Sequence, residues 1–342
     1  MNIYSDSRFI PFDTNSVVTV GTFDGVHAGH RQIFHRLVES AKETGARSVV
    51  VTFEPHPRRF FAPHSPAFRL ERLSTKLGRL RDAGVERVYM PRFNAGFAGR
   101  SAEGFLEEIL AGALGARAVI TGENFAFGRD RGGDIHTLRV WGATNGVEII
   151  AVPPVRFGEA ICSSSAIRAE LAMGDVVAAG HLLGRAYTLE GRIVHGDGRG
   201  KTIGFPTANI SLPPTLKLPA YGVYAVQVRI GDWGLGAGRS CQLSVVSRQS
   251  SENVRDQSPV PSPQSPYLGV ANLGLKPTVA VNNVPTLEVH LFDVEQELYG
   301  KKARVTFVDY LRPEQKFSGV EALVAQIRDD CVAAKMRLAG AI

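Results

Sequence analysis

The chain has 342 residues, of which 44% are hydrophobic and 21% are charged, a composition that excludes a disordered, collagen-like or small disulfide-stapled protein. Lys and Arg outnumber Asp and Glu by 39 to 33, which gives a formal charge of +6 without any long basic run. This modest excess suits phosphate-bearing ligands, and no nucleic-acid partner is expected from it. The length predicts two domains.

The longest apolar runs, such as residues 49–53, fall far short of the roughly 18 residues that span a bilayer, so no membrane helix is predicted. Residues 1–15 carry acids and lack the basic and apolar regions of a secretory signal, so we expect a cytoplasmic protein with no membrane partner. Cys162, Cys241 and Cys331 lie far apart, which predicts free thiols. The oligomeric state stays open, a weak homo-oligomer included.

The first half alternates short β-branched runs with amphipathic segments at helical spacing. The predicted strands are 17–21, 48–53, 85–90, 118–121 and 147–152, and the predicted helices are 31–44, 70–83 and 101–114, the last with Ser101 as its N-cap. Strands separated by helices predict an α/β fold with a doubly wound parallel sheet, whose ligands bind beyond the carboxyl ends of the strands.

Beyond about residue 184 the pattern changes to the alternation of half-buried strands. The predicted strands of this half are 187–194, 221–230, 287–292 and 304–310, followed by a terminal helix over 320–337. This predicts an antiparallel β-barrel, and we divide the chain into domains 1–183 and 184–342. Residues 239–266 are rich in Ser, Gln and Pro and predict a flexible insertion within the second domain.

The first candidate site is the stretch Gly21-Thr-Phe-Asp-Gly-Val-His-Ala-Gly-His30, which follows a predicted strand and opens a predicted helix. A helix N-terminus favours anions, and its glycines allow close approach of the backbone to a ligand. The candidate phosphate-binding residues are Gly21, Phe23, Asp24, Gly25, His27 and His30. Two imidazoles and these amides could stabilise charge on a reacting phosphorus. The alternatives are a structural turn and a two-histidine metal site.

This string resembles the signature of the nucleotidylyltransferase superfamily, and its Thr-Phe-Asp-Gly form resembles the adenylyltransferase half of bacterial bifunctional riboflavin kinase/FAD synthetases. Segments 53–57, 122–128 and 162–168 resemble further motifs of that family. The resemblance implies that Asn124, Ser163, Ser164 and Ser165 bind ATP phosphates, that Arg168 reaches them as a catalytic residue, and that Pro55, His56 and Pro57 face the flavin. Ser165 stands where the family usually has Thr.

Each of these residues also has a structural interpretation. His56, between two prolines, could form only a rigid turn. Asn124 could serve only a left-handed turn. Ser163 to Ser165 could act only as a helix N-cap, although capping and phosphate binding use the same helix end.

The second candidate site is the Gly-rich stretch 195–209. It is not a P-loop, because His195 stands where that motif needs its first Gly. Gly200, Lys201 and Gly204 are candidates for a flap over ATP phosphates. Pro206-Thr-Ala-Asn209 resembles the riboflavin kinase motif, which implies that Thr207 and Asn209 hold ATP-bound Mg²⁺; alone, the motif reads as a turn.

Glu288 lies on an alternating strand, with Leu287, Val289 and Leu291 on the opposite face. It matches the family's catalytic carboxylate, which implies a general base; the alternative is a solvated Glu. Arg312 matches a family loop near the flavin, the alternative being a surface ion pair.

The resemblance runs from about residue 17 to 337 and implies that the second domain makes FMN from riboflavin and ATP. The first domain then makes FAD and pyrophosphate from FMN and ATP, both with Mg²⁺. One alternative keeps only the adenylyltransferase, with the kinase impaired by the insertion. Others are a single-activity enzyme such as a phosphopantetheine or nicotinamide mononucleotide adenylyltransferase, and a flavin- or nucleic-acid-binding regulator.

Overall fold

The computed structural model describes residues 1–6, 15–196, 198–231, 245–246, 266–275, 285–294 and 297–340. These residues form two compact units. The first contains the described residues of 1–66 and 73–162 together with 245–246, and the second contains those of 67–72, 163–237 and 259–342. The domain boundary after residue 183 rests on the change of sequence pattern at that point, and it stays a prediction.

The strands are β1 (Asn2–Tyr4), β2 (Ser16–Val20), β3 (Arg47–Val51), β4 (Arg87–Tyr89), β5 (Ala116–Gly122), β6 (Ala126–Phe127), β7 (Gly133–Asp134), β8 (Glu148–Val152), β9 (Arg156–Phe157), β10 (Ala160–Ile161), β11 (Thr188–Val194), β12 (Ala208–Ser211), β13 (Gly222–Ile230), β14 (Val245–Val246), β15 (Tyr267–Leu275), β16 (Pro285–Leu291) and β17 (Lys302–Arg312). The α-helices are α1 (Ala28–Thr44), α2 (Pro57–Phe61), α3 (Leu73–Asp82), α4 (Ala95–Ala98), α5 (Ala102–Gly104), α6 (Ile135–Asn145), α7 (Ser164–Met173), α8 (Val176–Leu183), α9 (Arg199–Thr202) and α10 (Val320–Ala339). Phe105–Ala113 is π-helical and Arg129–Arg131 is a 3₁₀ turn.

The first unit is built on a parallel sheet of order β14-β1-β4-β3-β2-β5-β8, which confirms the predicted fold class. All five residues of β2 are buried, as is usual for a parallel strand covered on both faces. The chain leaves β2 for β3 on one side and returns later to β5 on the other. The order therefore reverses beside β2, and the crevice between the carboxyl ends of β2 and β5 is the expected place for a ligand.

The predicted helix over 70–83 begins three residues late, at Leu73. The chain before it pairs with a distant segment: the amides of Phe68 and Arg69 both donate to the carbonyl of Thr215, at 3.2 and 3.0 Å. Because these backbone groups pair across to a distant segment, residues 67–72 belong to the second unit. Ser101 is confirmed as an N-cap, with its Oγ accepting from the amide of Gly104 at 3.0 Å.

The second unit contains a closed barrel of order β11-β12-β16-β15-β13-β17, antiparallel throughout, as predicted. Its core includes Tyr187, Tyr224 and Phe307, all almost fully buried. Burial raises the pKa of the Tyr224 hydroxyl, which donates to the carbonyl of Ala220 at 2.5 Å. The predicted terminal helix is confirmed as α10, whose Leu338 packs in the cluster that includes residues of β13 and β15.

The predicted insertion, 239–266, connects β13 to β15. Apart from 245–246 and Pro266 it lies outside the described residues. β14 pairs in parallel with β1, at the edge of the sheet. Within the described ranges, no helix combines the length and the hydropathy needed to cross a membrane.

Candidate active sites

The loop between β2 and α1 carries the first motif. The amide of Gly21 donates to the carbonyl of Val51 at 3.0 Å, and Phe23, Gly25 and Val26 all have positive φ, at 48°, 85° and 35°. A Cβ on Gly21 would lie 2.8 Å from the Phe23 ring, so a side chain at this position would require that ring to move. Phe23 and Val26 hold a conformation that L-residues rarely adopt, which marks the loop as a constrained segment.

His27 and His30 are brought together as the sequence predicts. Their rings stack with centroids 3.5 Å apart, and the Nδ1 of His27 accepts from the amide of His30 at 3.4 Å, which caps α1. His27 and Asp24 are buried, and the Phe23 ring packs edge-on against His30 at 5.2 Å. The positive end of a 17-residue helix therefore lies beside two imidazoles, a suitable place for an anion.

A cavity of about 930 Å³ opens beyond the carboxyl ends of β2 and β5. Gly21 and Asn124, both predicted phosphate-binding residues, line it from the loops that follow these two strands. Its walls are mainly aromatic, formed by Phe53, Phe60, Phe61, Phe93, Phe97, Phe105, Phe125 and Phe127. The volume lies within the range of ligand sites, and the phenylalanines suit a planar aromatic ligand.

Sequence reasoning missed this aromatic wall. A signal was present: Phe53, Phe93 and Phe125 each follow shortly after a strand of the parallel sheet, where ligand-binding loops lie. Arginines 100, 129 and 131 also line the cavity. Arg100 pairs with Glu108 at 2.8 Å, and Arg131 has a φ of 59°. The cavity thus combines aromatic walls with cationic groups.

The structure separates the three residues of segment 55–57 that are predicted to face the flavin. Pro57 lines the cavity, whereas Pro55 and His56 do not. The Nδ1 of His56 accepts from the amide of Arg58 at 3.1 Å and caps α2. In this structure, His56 therefore stabilises a turn, which is the alternative to a flavin-facing role.

Lys76 is a second residue that sequence reasoning missed. Its side chain is buried, and its Nζ donates to the carbonyl of Thr22 and to the Oγ1 of Thr52, both at 3.0 Å. Thr52 also donates to the carbonyl of Thr22, at 3.2 Å. Lys76 therefore ties the loop after β2 to the end of β3. Because a lysine is rarely fully buried, nothing in the sequence marked this position on α3 as an internal contact.

The serine-rich motif lies in the second compact unit. Ser163 caps α7, with its Oγ accepting from the amide of Ala166 at 3.1 Å, and Ser164 and Ser165 form the first turn. Arg168 donates its Nε to the carbonyl of Phe68 at 2.8 Å, and its guanidinium lies 5.8 Å from that ring. The helix N-terminus that the motif predicts is present, and two contacts of Arg168 are with Phe68.

The barrel contains a second cavity, of about 270 Å³. Gly200, Thr207, Glu288 and Arg312, all predicted site residues, line it together. The burial pattern of β16 confirms the predicted alternation, with Leu287, Val289 and Leu291 buried and Glu288 half-buried on the cavity side. In register, Glu288 lies opposite Asn209 on β12 and Asn272 on β15.

The Gly-rich segment packs closely on the metal-binding candidates. A Cβ on Gly200 would clash with the carbonyl of Phe205 and come within 3.2 Å of the Thr207 Oγ1, and one on Gly196 would clash with the Asn209 amide. The predicted flap forms one helical turn, α9, that ends at Thr202. Lys201 and Gly204 are exposed.

The oxygen atoms available around Thr207 fit Mg²⁺. The hydroxyl of Thr207 and the amide oxygen of Asn209 are hard ligands, the type that Mg²⁺ takes together with substrate phosphates. In the part of the chain that the structure describes, no three His, Cys, Asp or Glu side chains form a metal-binding group.

Arg312 is held by a carboxylate that sequence reasoning missed. Its Nε donates to the Oδ1 of Asp330 at 2.8 Å and its Nη2 to the Oδ2 at 2.7 Å. Asp330 lies on α10, and both side chains are largely buried, so the pair is not the exposed ion pair of the alternative interpretation. Asp330 lines the same cavity.

Comparison with known proteins covers both units. A family model described as FAD synthetase matches residues 10–166, and one described as riboflavin kinase matches residues 183–338. The bifunctional riboflavin kinase/FMN adenylyltransferase of Escherichia coli K12 is 37% identical over 319 residues, 93% of this chain and 91% of that protein. The protein of the same description from Pseudomonas fluorescens is 37% identical over 325 residues, 95% and 94% of the two chains.

A crystal structure described as a macrolide-efflux protein from Streptococcus pneumoniae superposes with a TM-score of 0.79 at 30% identity. It covers 96% of this chain and 97% of its own. The similarity therefore includes both the parallel-sheet unit and the barrel.

Proposed function

Because this chain belongs to the family of bifunctional riboflavin kinase/FMN adenylyltransferases, which phosphorylate riboflavin to FMN and adenylylate FMN to FAD, we propose a role for each cavity. The barrel cavity binds riboflavin for phosphorylation. The aromatic cavity of the parallel-sheet unit binds FMN for adenylyl transfer. The observation that carries this assignment is the pair of distinct cavities, each lined by residues of one predicted motif set.

In the kinase reaction, Glu288 is the general base. Its carboxylate accepts the proton of the ribityl 5′-hydroxyl as that oxygen attacks the γ-phosphorus of ATP, and ADP leaves. The support is its place on the cavity face of β16, between Asn209 and Asn272 on the neighbouring strands. The backbone around it is paired on both sides, so the carboxylate is presented from a rigid element.

Thr207 and Asn209 hold ATP-bound Mg²⁺, which neutralises charge on the transferring phosphate. Gly200, Lys201 and Gly204 lie along the ATP phosphates, where a segment with little side-chain bulk lets backbone amides approach an anion. The apolar part of the cavity, which includes Val223, Leu323 and Ile327, accepts the flavin ring with Arg312 at its wall.

In the adenylyl transfer, the phosphate of FMN attacks the α-phosphorus of ATP and pyrophosphate leaves. This nucleophile is already an anion, so the site needs no base: alignment and charge stabilisation supply the rate. His27, His30 and the amides at the start of α1 neutralise ATP phosphates. Asn124 adds a phosphate contact within the parallel-sheet unit, and the phenylalanines enclose the flavin. The phosphate-binding roles of Ser163, Ser164, Ser165 and Arg168 stay predictions.

The cytoplasmic location, the lack of nucleic-acid and membrane partners and a weak homo-oligomer stay predictions. One alternative stays with them, that the insertion impairs the kinase while the adenylyltransferase works. It follows from the position of 239–266 between two barrel strands, β13 and β15.

The test is a time course with purified protein, ATP and Mg²⁺, started in one run from riboflavin and in the other from FMN, with the flavins separated by chromatography. We expect FMN and then FAD in the first run and FAD in the second. FAD from FMN alone would support the alternative with an impaired kinase. No conversion in either run would contradict both site assignments.

A further inference from the structure

Asp330 on the terminal helix α10 lines the barrel cavity, and the reaction scheme above does not use it. Asp330 is 6% exposed, and its two carboxylate oxygens accept from Nε and Nη2 of Arg312 in a two-point fork. Gln326, one turn earlier on α10, donates to the same Oδ1 at 3.1 Å. A carboxylate this buried and this well paired fixes the plane of the guanidinium.

Arg312 in turn supports the segment that follows it. Its Nη1 donates to the carbonyl of Pro313 at 3.0 Å, and its guanidinium carbon lies 5.8 Å from the centroid of the Phe317 ring. Gln315 donates to the Oε1 of Gln326 at 3.1 Å, a second link between this segment and α10. Segment 313–317 therefore takes its shape from the Asp330–Arg312 fork, and Gln315 and Phe317 line the cavity beside them.

The Asp330–Arg312 fork lies at a different wall of the cavity from Glu288 and Thr207, the groups proposed to act in phosphoryl transfer. Glu288 and Thr207 line the cavity from β16 and from the residues just before β12, whereas Arg312 ends β17 and Asp330 lies on α10. Groups that shape a wall without facing the transferred phosphate affect substrate binding more than the chemical step.

Resting on the proposed kinase site, we propose that Asp330 is a positioning residue for riboflavin. Its carboxylate holds Arg312 flat against the flavin pocket and so sets the affinity for the flavin acceptor, while Glu288 and the Mg²⁺-binding residues set the rate of phosphoryl transfer. The terminal helix is then part of the kinase acceptor site.

The experiment measures kcat and the separate KM values for riboflavin and ATP in the intact chain, together with FMN-to-FAD activity as an internal check. In Asp330→Asn, which keeps the shape and loses the charge, we expect the riboflavin KM to rise about tenfold or more, with kcat and the ATP KM nearly unchanged. Riboflavin binding without ATP, followed by flavin fluorescence, should weaken by the same factor.

The matched control is Arg337→Gln. Arg337 pairs with Asp309 at 3.2 Å, which also links α10 to β17, but neither residue lines the cavity. This variant should leave the riboflavin KM unchanged. An equal rise in both variants would show that α10 needs only to be anchored and would overturn the proposal.

Arg312→Lys keeps the charge but cannot form the fork, so it should raise the riboflavin KM as Asp330→Asn does, and the double variant should be no worse than Arg312→Lys alone. If Asp330→Asn fails to fold, Arg312→Lys decides: an unchanged riboflavin KM there contradicts the proposal. If the wild-type chain phosphorylates no riboflavin, the proposed kinase function itself is contradicted, and the proposal for Asp330 fails with it.

Discussion

Replacing Glu288 by Gln separates catalysis from stability at the barrel site. No hydrogen bond or ion pair joins the Glu288 side chain to another residue in the described part of the chain, and its backbone is paired on both sides by β12 and β15. The isosteric change therefore removes no stabilising contact. We expect the free energy of unfolding to change by no more than about 0.5 kcal/mol, as for ordinary half-exposed substitutions.

The same change removes the general base. Such a group contributes about 10²- to 10⁴-fold in rate, or about 2.7 to 5.4 kcal/mol in the activation free energy. The assay is the initial rate of FMN formation from riboflavin, with thermal unfolding and the rate of FAD formation from supplied FMN measured on the same preparation. Only the first quantity should fall. Glu288→Asp keeps a carboxylate in a retracted position and should fall between Gln and wild type.

FMN formation within about threefold of wild type in Glu288→Gln would refute the assignment, because no general base contributes so little. A parallel loss of unfolding temperature would also refute the reasoning, since it would reveal a structural contact that the described residues do not show.

Two further substitutions and one alkylation measurement test other groups. His27→Ala should lower FAD formation by about 10²- to 10³-fold, the effect of removing one charge-stabilising group, and FMN should accumulate from riboflavin; normal FAD output would remove His27 from the site. Phe93→Ala should raise the KM for FMN by up to about tenfold through lost aromatic packing while riboflavin phosphorylation continues, and an unchanged KM would place the flavin elsewhere. Burial, followed by the charge of Asp330, raises the pKa of the Cys331 thiol. At pH 8 this thiol should therefore carry less thiolate than a free cysteine and react more slowly with iodoacetamide, and its rate should rise only as the pH approaches the raised pKa. Mass spectrometry of iodoacetamide-treated protein measures the rate, and alkylation faster than that of a free cysteine would contradict the prediction.

Periodicity was enough to predict both architectures. The last four residues of β2 form a continuous run of β-branched side chains, and β16 alternates from Leu287 onward. Each pattern therefore indicates the burial of its strand without information about distant residues. Glu288 could be placed on the cavity side for the same reason, because strand alternation alone separates it from Leu287 and Val289.

What could not be predicted depends on contacts between distant residues. β1 is three residues long and offers too little alternation to recognise. Residues 70–72 read as the start of a helix, but they directly follow Phe68 and Arg69, whose amides pair with Thr215, almost 150 residues later. The Asp330–Arg312 fork and the Lys76 contact with Thr22 join residues 18 and 54 positions apart. Patterns in a single sequence contain no information about such pairs, so Lys76 and Asp330 resembled ordinary helix positions.

The different demands of the two reactions explain why the two sites contain different groups. A ribityl hydroxyl is a weak nucleophile until its proton is removed, and Glu288 presents its carboxylate from a strand that is paired on both sides. The FMN phosphate is charged before it reacts, so a base at the second site would add nothing. The loop after β2 instead presents helix amides, His27 and His30. Removing the Glu288 carboxylate should therefore lower FMN formation by up to about 10⁴-fold, whereas each neutralising group of the adenylyl transfer should account for about 10²- to 10³-fold when it is removed alone.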